Sequence, residues 1–335
     1  MAKSRRANAV LFGFDFQVNA AIVLMIENIE DLKSLRLEGN FEDIELELEN
    51  NQYILAQAKA VEKSSSDFRN VRKNLEKSLI SLSEGNQKVN AQQLILITNS
   101  PNPLNEEISR NIFWGTAHRD YGSLPESSQE IIRGYLDNIN HPLDTEKFMI
   151  QVLPFETDSD IERYKVVKQV VDDFVGELNL NIPGLGKKLL NIWHEEVFKN
   201  GTKKEAAIQL KKKDIIWPIM VIATDVSYCD DSFANIFDSS AYDEIVCQYR
   251  DTIESCCERC EFFIRVLCDY NTYQTIKKPS EKCMDFVINK WRDYLTEFEL
   301  DGMDEEIQRG LIQIILYRII RNRIVIQNIK KGVKL

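Results

Sequence analysis

The sequence predicts an α+β protein, with an N-terminal mixed-sheet domain over residues 1–156 and a mainly α-helical domain over 157–335. Two observations carry this. Before Pro154 short strand-like runs alternate with amphipathic helical segments, whereas after it long helical periodicities dominate. A third bounds the class: of 335 residues, 44% are hydrophobic and 28% charged, the profile of a globular chain with a real core.

The elements follow in order. Phe14, Val18, Ile22, Met25 and Ile29 recur at helical spacing. Ser34–Glu38 then reads as a strand, with Leu35 and Leu37 alternating against Arg36 and Glu38. Asp43–Glu49 alternates strictly, Ile44, Leu46 and Leu48 against Asp43, Glu45, Glu47 and Glu49. Tyr53–Ala60 is a third strand, joined to the second through Asn50, Asn51 and Gln52 as a hairpin. Ser66 and Asp67 are candidate caps for a helix through Val71, Leu75, Leu79 and Leu82 that ends near Gly85. Gln93–Thr98 contains the apolar run Leu94–Ile97, typical of a buried strand, and Asn99–Pro103 breaks it. A helix over Glu126–Leu136 and a strand over Phe148–Leu153 complete this half. Helices are expected over Ile161–Leu178, Gly186–Phe198, Asp243–Tyr270, Met284–Phe298 and Glu306–Ile329. Ile215–Thr224 fits either a strand or a buried helical segment.

Charge and cysteine usage narrow the function. The net charge is −11 and the pI near 5.0, which excludes holding DNA by bulk electrostatics. Any nucleic-acid activity must use local basic patches, a bound metal or a partner. Seven cysteines at irregular spacing fit a reducing cytoplasm better than a disulfide framework. The basic start, Met1–Arg6, is followed by Asp15, Gln17 and Asn19, which interrupt the apolar core that a signal peptide needs. No apolar run is read as a membrane span.

The second and third strands carry the chemistry. Residues two apart in a strand share a face, so Gln57 and Lys59 project together, as do Asp43 and Glu45. With a loop of Asn50–Gln52, Glu45 would face Gln57 and Asp43 would face Lys59. Carboxylate and amide oxygens are the hard donors that Mg2+ prefers, and a lysine can stabilise charge developing on phosphate. Asp43 and Gln57 are the candidate ligands, with the Ala58 carbonyl as a further donor. Replacing a carboxylate by Gln57 removes a charge and weakens metal affinity.

The stretch Leu37–Glu45, then Ala56–Val61, resembles the Glu…Asp…Gln-x-Lys core of the CD-NTase-associated double-stranded DNA endonuclease family, within the PD-(D/E)XK superfamily. Gly13–Gln17 resembles that family's N-terminal helix signature, and Leu94–Pro103 its fourth strand and turn. The resemblance covers roughly the first 150 residues. It implies a restriction-endonuclease-like domain and Mg2+- (or Mn2+-) dependent DNA cleavage in bacterial anti-phage or anti-plasmid defence. Glu38, Asp43, Gln57 and Lys59 would form the catalytic set, Glu38 joining Asp43 and Gln57 on the metal, with Gln17 and Glu45 as outer contributors. The helical second half departs from the larger sensor module of the nucleotide-sensing members. It is similar in layout to the nuclease subunit of Lamassu-type systems. That similarity implies an SMC-like ATPase and an accessory subunit as partners, homo-oligomerisation on activation, and no membrane.

The remaining motifs carry less. Lys203, Lys204, Lys211, Lys212 and Lys213 form a basic cluster able to touch DNA phosphates, or a solvated helix face. Cys256, Cys257 and Cys260 lack a second close pair for zinc, and Cys256 and Cys260 fall on an apolar helix face. His118, His141 and His194 lie without metal-ligand spacing. Gly184–Lys188 lacks the ending of a phosphate loop and reads as a helix entrance. The last helix, apolar nearly all round, is either a core helix or an oligomer contact.

Overall fold

The computed structural model describes residues 7–62, 67–156, 159–180, 182–205, 207–224, 245, 260–298 and 303–335. Strands β1 (Leu32–Leu37), β2 (Ile44–Leu48), β3 (Tyr53–Lys59), β4 (Ala91–Thr98), β5 (Ala117–Asp120), β6 (Phe148–Val152) and β7 (Leu210–Lys211) form one mixed sheet in the order β5-β6-β4-β3-β2-β1-β7. β4 runs parallel to both β3 and β6, and the remaining pairs are antiparallel. The α+β expectation holds at this level.

The helices in the same part of the chain are α1 (Ala7–Glu27), α2 (Val71–Lys88), α3 (Glu107–Arg110), α4 (Glu126–Leu136), α5 (Asp160–Glu177), α6 (Leu185–Gly201) and α7 (Lys212–Thr224). One face of the sheet meets α2 and α4: Leu55, Leu94, Leu96, Phe148 and Ile150 pack with Leu75, Leu79, Leu82, Ile132 and Leu136. α1 touches β1 and β3 directly and α6 touches β1, while α5 packs on α1 and α6. α1 is the most apolar of these, and Phe16, Val18, Ala20, Ala21, Ile22 and Met25 are fully buried. By length and composition Asn8–Glu27 would suffice to cross a bilayer, contrary to the sequence reading, and its mean hydropathy is 1.9. Its apolarity has a local cause: 61% of that window is buried inside the protein. The stretch Ile215–Thr224, open between strand and helix, lies within α7.

The β2–β3 hairpin differs from its expected register. Its loop is Glu49–Asn51, closed by Leu48 N donating to Gln52 O at 2.9 Å, with Asn51 at φ 61°. Asparagine tolerates this left-handed conformation, which fixes a three-residue loop. Glu45 therefore pairs with Leu55 and Ile44 with Ala56, so the next rung sets Asp43 opposite Gln57. The shift is even, and an even shift leaves every side chain on its expected face.

Arg36, which alternates with Leu35 and Leu37 along β1, is only 2% exposed. Its guanidinium donates to the carbonyls of Asn200 (2.8 Å), Ile208 (3.0 Å) and Lys203 (2.7 Å). The planar fork satisfies three carbonyls of the α6–β7 connection at once, which a lysine ammonium could not match in geometry. Asn200 completes the clamp by accepting from Leu37 N at 2.9 Å.

Two compact units divide the chain. The first is Met1–Glu177, Pro183–Ile219 and Val333–Leu335; the second is Leu178–Ile182 and Met220–Gly332. The sheet-bearing unit thus runs past the compositional change at residue 156, because α5 and α6 pack on α1 and each other. In the second unit α8 (Cys260–Thr272), α9 (Lys282–Lys290) and α10 (Glu305–Gly332) share a core of Phe262, Val266, Phe286, Tyr294 and the run Leu311–Ile320. The last helix is therefore a core helix within this unit. Cys256 and Cys257, with much of the expected Asp243–Tyr270 helix, lie outside the described residues.

Replacing Arg36 by Met is expected to destabilise the sheet-bearing unit by about 3 kcal/mol, because buried carbonyls lose their donors. Arg36→Lys should recover less than half of that loss in urea unfolding. Full recovery by lysine would show that charge, and not the fork, holds the connection.

Candidate active site

Four backbone elements converge at one end of the sheet. α1 supplies Gln17, the end of β1 supplies Glu38, the start of β2 supplies Asp43, and the end of β3 supplies Gln57 and Lys59. The tight turn between β1 and β2 brings the two acids together. Glu38 adopts φ 53°, donates its N–H to Asp43 O at 2.7 Å, and is followed by Gly39 N donating to Glu42 O at 3.1 Å.

Glu45 holds that turn. Its carboxylate accepts from the backbone of Phe41 and of Glu42 (3.1 Å), and it is 5% exposed. A side chain at Gly39 would overlap this carboxylate and displace it from the turn. Across the ladder Glu45 pairs with Arg36, whose charge favours its ionised form, although burial pushes its carboxyl above the usual range. Glu45 thus spends its carboxylate on the backbone of the turn that positions the two acids.

Asp43 is the centre of the cluster. Its Oδ2 accepts from the Gln57 amide and from Ala58 N at 3.1 Å, and Lys59 Nζ lies 3.8 Å away. Glu38 receives a hydrogen bond from Gln17, and its carboxyl is pushed up by burial and by the like charge of Asp43, with Lys59 opposing. Two mutually repelling carboxylates beside one lysine make a place where a cation is favourable. Among the described residues no three His, Cys, Asp or Glu side chains group as ligands. A hard divalent ion would have to draw on Asp43, Glu38, the Gln57 amide oxygen and the Ala58 carbonyl, with the Gln57 amide turned so that oxygen replaces nitrogen. These donors fit Mg2+ or Mn2+ in type, and fall one charge short of a three-carboxylate site.

A third acid, Glu42, had no role assigned to it from the sequence. It is 6% exposed, bonded to Ser81 and, at 3.3 Å, to Asp43 N, and burial pushes its carboxyl up to about 7. Its Oε1 has no partner. The even spacing of acids along Glu45, Glu47 and Glu49 hid that Glu42 precedes the strand and turns inward.

The expected basic cluster divides. Lys203 and Lys204 are exposed beyond α6, near the end of β1 where Arg36 grips Lys203 O. Lys211 pairs with Ser34 toward the other end of β1, and Lys213 follows it. Lys212 is buried, its ammonium donating to the Glu30 carbonyl at 2.8 Å, so it is not free to meet phosphate. A basic row that the sequence reading passed over lies closer to the acids. Arg69, Lys73 and Lys77 line a cavity of about 530 Å³ together with Ala60 and Val61, which directly follow Lys59. The four-residue spacing of Lys73 and Lys77 on α2, with Arg69 just ahead of the helix, was the available signal. Arg69 is paired with Asp67 at 2.7 Å.

No family model, no curated protein and no solved structure matches this chain.

Glu42 gives a stability prediction. The folded carboxyl titrates near 7 against an ordinary 4.5, so the folded state holds the extra proton in that window. Stability then falls as pH rises through it, by up to about 3 kcal/mol. In EDTA, Glu42→Gln should match wild type near pH ~4.5 and exceed it near pH ~8 in urea unfolding. An equal difference at both pH values would remove titration as the cause.

Proposed function

We propose that this chain is a Mg2+- or Mn2+-dependent double-stranded DNA endonuclease of PD-(D/E)XK type. The observation that carries the reading is the convergence of Gln17, Glu38, Asp43, Gln57 and Lys59, from four separate elements, at one end of a mixed sheet. Solvated hairpin polarity alone gives no reason for a helix and three strands to bring these particular groups together.

In this reading Asp43, Glu38, the Gln57 amide oxygen and the Ala58 carbonyl hold the ion. When bound, the ion activates water and neutralises the phosphate. Lys59 is placed to donate to a phosphoryl oxygen as charge builds there, and Gln17 orients Glu38 through its hydrogen bond. Lys73 and Lys77 offer phosphate contacts beside the site. Since the whole chain carries −11, binding rests on such local contacts and on assembly. The resemblance of the Glu38…Asp43…Gln57-x-Lys59 core extends the proposal to an effector of anti-phage or anti-plasmid defence, acting with an SMC-like ATPase and an accessory subunit in the cytoplasm, and self-associating when active.

A second reading has one observation in its favour. Asp43 is already occupied by donors from Gln57, Ala58 and Lys59, the arrangement of a closed polar cluster that needs no metal. The chain would then be a scaffold that keeps a nuclease-like fold. Calorimetry separates the two, because the nuclease should bind Mn2+ in a manner lost on Asp43→Ala, and the scaffold should not bind it.

Linear duplex DNA incubated with Mg2+ and partner-free protein should be cleaved, with RNA as competitor to fix the substrate. Lys59→Ala should lower the rate by about 100-fold or more with the fold intact by circular dichroism. Absence of cleavage by wild type in every assembly state would end the enzyme reading. Gln57→Glu adds a carboxylate to the ligand set and should tighten Mn2+ binding by about tenfold. Unchanged or weaker binding would show that residue 57 is not a ligand.

A further inference from the structure

Away from the acids, on the α1–α5–α6 side of the sheet-bearing unit, lies a cavity of about 590 Å³ lined by Asn19, Tyr164, Lys168, Lys187, Asn191 and His194. Its floor is a polar network around Asp15. That carboxylate accepts from Tyr164 Oη at 2.9 Å and Asn19 Nδ2 at 3.0 Å, meets His194 Nε2 at 3.1 Å, and is paired with Arg163 at 3.6 Å. Asp15 is thereby matched by Arg163 and by three further polar side chains. Lys168 and Lys187 have no carboxylate within ion-pair distance among the described residues, and both are exposed.

Asn19 supplies the second mark of a ligand. It is fully buried, and its amide orientation is fixed because Nδ2 faces two acceptors, Asp15 O at 2.8 Å and Asp15 Oδ1. Its Oδ1 therefore stays an acceptor, and it has no partner. A buried carbonyl without a donor is rare in folded proteins and calls for a group that supplies one. Leu190 and the Tyr164 ring add an apolar wall.

We infer that this cavity binds a small phosphorylated molecule, its phosphate held by Lys168 and Lys187 and a hydroxyl or amine at its other end donating to Asn19. The volume suits a ligand of sugar-phosphate to mononucleotide size. Paired lysines serve a phosphate as mobile point charges, without the fixed geometry that an arginine fork would impose. The site is separate from the cluster of Asp43 and Lys59, so it stands whether or not the chain cleaves DNA.

The test is calorimetry on the full chain in EDTA, with ribose 5-phosphate, AMP, unphosphorylated ribose, inorganic phosphate and a short DNA duplex as probes. Ribose 5-phosphate or AMP should bind with a dissociation constant below about 1 mM. Ribose should fail to bind, and inorganic phosphate should bind more weakly because it cannot reach Asn19. The double variant Lys168→Ala/Lys187→Ala changes exposed positions, so it should keep its melting temperature and lose at least about tenfold in affinity. Lys59→Ala should bind as wild type does. Silence from both organic phosphates, equal binding by inorganic phosphate, an unaffected double variant, or displacement by the duplex would each overturn the inference.

Discussion

A carboxylate that takes no part in the proposed chemistry holds the site together. Glu45 gathers the backbone N–H groups of the β1–β2 turn, and Gly39 leaves it the room to do so. The turn sets Glu38 in its left-handed conformation and brings Asp43 to the head of β2. Without that hub the two acids would not be held together against their mutual repulsion. The cost of burying Glu45 is offset by its N–H donors and by Arg36 across the ladder, which in turn secures the α6–β7 connection. One buried acid and one buried base thus link the site to the edge of the sheet.

The strands and helices of the first half were legible because their apolar periods are clean, from Ile44–Leu48 on β2 to Leu75–Leu82 on α2. The pairing of Asp43, Gln57 and Lys59 on one face was legible for a more forgiving reason. Strand faces repeat every second residue, so the hairpin could slip by an even step without parting them. Buried polar groups were not legible. Arg36, Glu42 and Lys212 look like surface residues in one dimension; Arg36 and Lys212 are inside because carbonyls distant in sequence accept from them, and Glu42 because the turn folds it inward toward Ser81. Lys212, for example, answers the carbonyl of Glu30, and no local pattern announces such a contact.

The charge balance remains the chief constraint on function. A chain carrying −11 repels duplex DNA at long range, yet Lys73 and Lys77 place positive charge beside the segment that follows Lys59, where the proposed substrate would need it. Gln57 has a similar effect at shorter range, because an amide in place of a carboxylate spares the cluster one negative charge. Both features favour a site that becomes competent when phosphate and cation arrive together.

The division into units has a consequence for how the chain comes apart. Val333–Leu335 rejoins the sheet-bearing unit, with Lys334 reaching Glu30 at 2.6 Å. The segment Met220–Gly332 therefore lies in sequence between two stretches that belong to the sheet-bearing unit. If it melts first, it becomes a closed loop, whose extra entropic cost grows only logarithmically with length. Proteolysis within that loop would cut the polypeptide while the fragments on either side of the cut stay joined through the folded sheet.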